Sequence, residues 1–168
     1  MIRPWALPGL LALVAPWVAP CGAQAQRGES EALCSISSTS LNFGRYDGTN
    51  PAPADFTATL SVTCTPAGTA TSASVSFTIA LVGGAGGPGQ RHMNAARDAI
   101  RYELYTDPGR SIVFGDGAGG SAMLAGAGVA TRTAPLRQSF TVYGRVLARQ
   151  RSAPAGTYLD VVMVQLSY

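Results

Sequence analysis

Lysine is absent from the 168 residues: all twelve cationic side chains are arginine, and charged residues make up only 12% of the chain. The formal net charge is +3, and the arginines are scattered, with only Arg149 and Arg151 close together. A nucleic-acid interface gathers its basic residues into a stripe or patch, so that class has no support here. Histidine occurs once, at His92, between Arg91 and Met93. A Ser-His-Asp site would have to use it, yet no Gly-x-Ser-x-Gly elbow and no His-Glu-x-x-His sequence is present. Asp47, Asp55, Asp107, Asp116 and Asp160 lie mostly beside turns, where a carboxylate caps backbone amides. The glycine run at 83–89 lacks the lysine of a phosphate loop and opens no helical pattern. Asp116 among glycines supplies too few ligands for calcium. No catalytic, cofactor-binding or metal-ligating residue is expected, and the reading is that of a protein without enzyme activity.

A long uninterrupted apolar run is also lacking. Arg3 precedes an apolar stretch from Trp5 to Pro20, broken by Pro8 and Pro16. A membrane-spanning helix needs about 20 apolar residues, which this stretch does not offer. Ala23-Gln24-Ala25 is a small-x-small cleavage sequence, so residues 1–25 read as an export signal cut between Ala25 and Gln26. Lipidation at Cys21 is the alternative, and Pro20 directly before it fits poorly. Residues 26–33 then form a short N-terminal tail, and 34–168 a single domain.

Cysteine is scarce, and the cut leaves Cys34 and Cys64. An even pair in an exported chain reads as a disulfide. With His92 the two could supply at most three metal ligands and no CxxC spacing, so the metal reading is weaker.

What the chain has in quantity is alternation. Phe56, Ala58, Leu60, Val62 and Cys64 share one face of a strand, against Thr57, Thr59, Ser61 and Thr63. Val75 to Leu81 repeats the pattern. Ile36–Phe43, Ile100–Thr106, a short Ser111–Phe114 and Ser139–Leu147 also read as strands. Arg101, Glu103 and Tyr105 fall on the polar side of theirs. Met123 to Arg132 reads as a loop with a weak strand. Thr157 to Tyr168 closes the chain as a long strand, with Val162, Val164, Leu166 and Tyr168 on one face. Leu159, Val161 and Met163 fill the other, which predicts a central position in its sheet. Turns such as Asp107-Pro108-Gly109 separate the strands. About seven short strands, no convincing helix and one bridge describe an all-β sandwich; an up-and-down barrel is the second choice.

Taken in order, several pieces resemble the spore coat protein U domain, a family of secreted coat proteins and archaic chaperone–usher pilus subunits. They are Cys34, Leu41-Asn42-Phe43-Gly44 with Tyr46-Asp47, Val62-Thr63-Cys64 and Arg91-His92-Met93. Further on come Tyr102-x-Leu104-Tyr105-Thr106-Asp107 and Phe114-Gly115-Asp116-Gly117. The series ends with Tyr143-Gly144-Arg145 and Ala155-Gly156-Thr157-Tyr158-x-Asp160. The resemblance implies an immunoglobulin-like sandwich missing its last strand. It implies a groove lined by Ile36, Leu41 and Phe43 on one side and by Tyr158, Val162, Val164, Leu166 and Tyr168 on the other. A strand from a periplasmic chaperone, and later from the next pilin subunit at an outer-membrane usher, would fill that groove. Export to the periplasm and then to the cell surface follows, with no cofactor. Of residues 26–33 only Ala32 and Leu33 are apolar, so the chain is expected to accept a strand better than it donates one, as a tip subunit would. A stand-alone secreted spore or cell-coat protein, or a carbohydrate-binding sandwich, is the alternative. It would require 26–33 or 123–132 to cover the terminal strand's edge.

Overall fold

The computed structural model describes residues 31–168. The export signal, its cleavage point at Ala25 and Gln26, the Cys21 alternative and most of the tail lie outside the described residues.

The described chain is all strand and loop. In order the strands are β1 (Ala32–Ser38), β2 (Ala54–Pro66), β3 (Ser72–Gly83) and β4 (His92–Ala95), then β5 (Asp98–Tyr105), β6 (Leu124–Thr131), β7 (Leu136–Val146) and β8 (Val162–Ser167). They form two sheets, β1-β2-β7-β5-β4 and β6-β3-β8, in which every pairing is antiparallel. The barrel alternative falls, because the sheets do not close on each other. A sandwich results because β2, β3 and β7 each keep a strict alternation, so each sheet has one apolar face to hide. Leu60, Val62 and Cys64 of β2, Val75, Phe77 and Ile79 of β3 and Val142 and Val146 of β7 meet in a single core. Phe77 and Phe140 touch across the sandwich edge to face, centroids 6.0 Å apart. Cys34 and Cys64 are bonded, and they are directly opposed in the β1–β2 ladder.

Several expectations change. The first strand starts and ends earlier than Ile36–Phe43: β1 stops at Ser38, and after a last backbone bond from Thr39 to Thr59 residues 40–46 leave the ladder. Leu41 and Phe43 turn inward over Gly144 instead, where a Cβ would lie only 2.8 Å from Leu41 Cδ2 and 3.0 Å from Phe43 Cε1. Residues 124–131 are a full strand, paired with β3 from Thr131↔Ser72 to Leu124↔Ile79. Their glycines and alanines mask the alternation, and Gly126 is needed because a Cβ there would run into Phe77 Cζ and Gln138 Oε1. Ser111–Phe114 contributes only isolated bridges at Val113 and Phe114. Glu103, expected on a wet face, is 6% exposed, because Arg91, itself fully buried, lies against it at 3.4 Å.

The terminal stretch differs most. It is two pieces rather than one strand. Leu159 pairs with Asn94 at the edge of the five-stranded sheet, each backbone amide donating to the other's carbonyl, at 2.9 and 3.1 Å. The chain then crosses to the other sheet, where β8 pairs with β3 from Val162↔Gly83 to Ser167↔Thr78. β8 is an edge and not a central strand, and Leu159, Val161 and Met163 are 69%, 85% and 66% exposed. Apolar residues on both faces predict burial on both, and here one face stays open.

Candidate functional site: a groove beside the last strand

Among the described residues no strand pairs with the second edge of β8. Beside that edge runs a groove of about 1310 Å³ between two lips. One lip is residues 38–48, and the other is residues 153–162 with Val164. The floor is the inner face of the five-stranded sheet and its neighbours: Ala58 and Leu60 of β2, Val142 of β7, and Ile100, Tyr102 and Leu104 of β5, with Met93 and Leu81 at the margin. The groove therefore lies in the plane of the three-stranded sheet, where a further strand would lie, and opens directly onto core side chains.

Local bonding fixes both lips. In the first, Gly44 N donates to Asn42 Oδ1 at 2.8 Å, closing a side-chain turn that puts Gly44 at a φ of +62°. Tyr46 Oη donates to Leu147 O at 2.7 Å and accepts from Gln150 N at 3.2 Å, tying the lip to the end of β7. Asp47 accepts from the amide and hydroxyl of Thr49, which hold its carboxyl below the usual range. In the second lip, Asp160 accepts from Tyr102 Oη at 2.6 Å, from Ala85 N at 3.0 Å and from Val161 N at 2.9 Å. Burial, followed by the bond to Asp160 and its charge, pushes the Tyr102 hydroxyl pKa well up, so the phenol stays protonated.

Of the residues expected at the groove, Leu41, Phe43, Tyr158, Val162 and Val164 line it. Ile36 and Leu166 pack against the core outside its lining, opposite Val62 and Ile79 in their ladders. Tyr168 follows β8 and is 48% exposed. Sequence reasoning missed the floor and Asp160. The floor comes from strands distant in sequence, but Tyr102 and Asp160 both stand in the pieces that carry the resemblance.

Chemically the groove offers apolar surface and unpaired backbone groups. No cluster of three or more His, Cys, Asp or Glu that could hold a metal occurs among the described residues. His92 Nδ1 lies 3.3 Å from Gln90 O. A site of this kind suits an extended peptide, which supplies backbone bonds to the edge and alternate side chains to the floor.

A family model described as Spore Coat Protein U domain matches residues 24–165. Among solved structures, a similar chain is found in the CsuC–CsuE chaperone–tip adhesion subunit pre-assembly complex from archaic chaperone-usher Csu pili of Acinetobacter baumannii. It shares 18% identity with this chain at a TM-score of 0.53, which is a likeness of fold. The match covers 82% of this chain but spans only 40% of the length of that one. No curated protein sequence matches.

Proposed function

The chain belongs to the spore coat protein U domain family, and on that premise we propose that it is a structural subunit of a surface pilus or adhesive fibre, completed by a strand from a partner. The unpaired edge of β8 above a groove floored by core residues carries this reading. An exposed strand edge next to apolar surface invites uncontrolled pairing, so the groove has to be filled. A periplasmic chaperone fills it first, and after transfer at an outer-membrane usher another pilin does so. The chain would pass by export through the periplasm to the cell surface. We place it on the accepting side of such contacts, at a tip: residues 26–31 are polar, and the neighbouring Ala32 and Leu33 are already part of β1.

The test is thermal unfolding of the purified chain, from Gln26 onward, with a synthetic peptide of alternating apolar residues. A scrambled peptide of the same composition is the control. At a free concentration 100 times its dissociation constant, a ligand of the folded state adds about 2.7 kcal/mol. In a chain of this size that is a rise in melting temperature of about 5–10 °C. A chain that stays monomeric and stable alone, and does not respond to any alternating peptide, would instead be the stand-alone coat or carbohydrate-binding domain.

A further inference from the structure

Tyr102 lies beneath the groove and touches both lips. Its side chain points inward from β5 and the residue is 4% exposed. Its ring meets that of Phe43 on the first lip at 5.4 Å between centroids, inclined at 61°. Phe43 is itself wedged edge to face against Phe56 at 5.3 Å. At its other end the Tyr102 hydroxyl donates to Asp160 of the second lip at 2.6 Å. We propose that Tyr102 is a positioning residue for strand acceptance: with Phe43 and Asp160 it braces one lip against the other and sets the groove's width before a partner strand enters.

The surroundings support a brace over a merely satisfied core hydroxyl. Any acceptor would meet the needs of a buried tyrosine, but this one sits where the chain crosses between sheets. The same carboxylate also accepts from the amide of Ala85 and from that of the next residue, Val161, so it ties β5 and the loop after β3 to the second lip. Room for it depends on Gly84, where a Cβ would lie 3.0 Å from Asp160 Oδ2 and 2.8 Å from Arg91 Nη1. Among the described residues β8 beyond this point pairs only with β3, so its groove-side edge has no ladder of its own to fix it. A lip held in place lowers the ordering cost when a strand binds. This role rests on the strand-accepting reading above.

The experiment compares the unaltered chain with Tyr102→Phe, Asp160→Asn and Asp160→Leu. It measures dissociation of the alternating peptide and hydrogen exchange at the Ala85 and Val161 amides. Tyr102→Phe keeps the ring on Phe43 and removes only the hydroxyl, so it should fold, and it carries the test if Asp160→Leu does not. Loss of a hydrogen bond to a charged group should speed dissociation about tenfold in Tyr102→Phe and Asp160→Leu. Asp160→Asn keeps Oδ1 for the Ala85 and Val161 amides and sets an amide nitrogen against the Tyr102 hydroxyl, which can accept from it, so dissociation should stay within about threefold of the unaltered chain. Exchange at both amides should rise in Tyr102→Phe. A lower melting temperature in Tyr102→Phe with unchanged peptide dissociation would make the bond structural only and overturn the brace. If the unaltered chain itself binds no peptide, the strand-accepting reading fails first and the brace fails with it.

Discussion

Replacing Cys34 and Cys64 together by alanine tests how the first lip is anchored. The bridge joins directly opposed residues of β1 and β2, Cα atoms 4.1 Å apart, across a sequence separation of 30. Freeing a loop of that length returns about 12 cal/mol/K of entropy to the unfolded chain, or roughly 3.7 kcal/mol at 25 °C in the chain-entropy treatment. The native state loses less, since alanine keeps each Cβ and only Cys64 is fully buried. A domain of this kind is stable by about 5–15 kcal/mol in all. At about 2–4 °C per kcal/mol, the melting temperature should fall by roughly 7–15 °C. The loss should also be uneven. Among the described residues β1 pairs only with β2, and its continuation is the lip at 38–48. Amide exchange over 32–46 should therefore rise more than exchange in β7, which is flanked by β2 and β5. Urea unfolding of the oxidised chain and the double variant, followed by circular dichroism, gives the first quantity and exchange gives the second. A stability loss below about 1 kcal/mol would refute the loop-closure argument. A uniform rise in exchange would refute the claim that the bridge acts on the lip.

Glu103→Ala should cost about 3–5 kcal/mol in chemical denaturation, because it leaves the fully buried Arg91 facing only the Gly83 carbonyl, which accepts from Nη1 at 3.0 Å; a loss under about 1 kcal/mol would show that water reaches the pair. On the acid side, the bidentate bond from Arg145, at 2.7 and 2.8 Å, holds the Asp55 carboxyl below its usual range, outweighing partial burial. Stability from that pair is present above the unfolded aspartate value of about 3.9 and is lost as pH falls through the lower folded value. Both side chains are about a third exposed, so Asp55→Asn should remove no more than about 1 kcal/mol of that acid dependence; an unchanged pH–stability profile below pH 5 would contradict the shift. Burial drives Glu103 the opposite way, raising its carboxyl pKa against the bonds from Leu104 N and the charge of Arg91. Its contribution therefore declines as pH rises from the unfolded glutamate value toward the folded one, and Glu103→Gln should flatten that limb.

Strand identity was legible wherever alternation was strict. Phe56–Cys64 and Val75–Leu81 sit inside β2 and β3, because a half-buried strand writes its two environments into successive residues. β6 was obscured because Ala125, Gly126, Ala127 and Gly128 carry almost no hydrophobic contrast, although the packing of Phe77 demands small residues there. β4 has four residues after a glycine run, too few to show a period. The groove was half legible. Leu41, Phe43, Tyr158, Val162 and Val164 could be assigned through the resemblance, while the floor at Leu60, Tyr102, Leu104 and Val142 joins three strands far apart in the chain.

The sequence by itself determined the all-β class, the pairing of its two downstream cysteines and the absence of any familiar catalytic motif, since each is carried by local pattern or by counting. Only the tertiary structure decided that Leu159–Tyr168 is divided between two sheets, that β8 ends a sheet, and that Asp160 meets Tyr102 across 58 residues. Sheet order and edge exposure depend on which distant segments pair, and alternation along a strand records which face is buried but not which neighbour lies beside it.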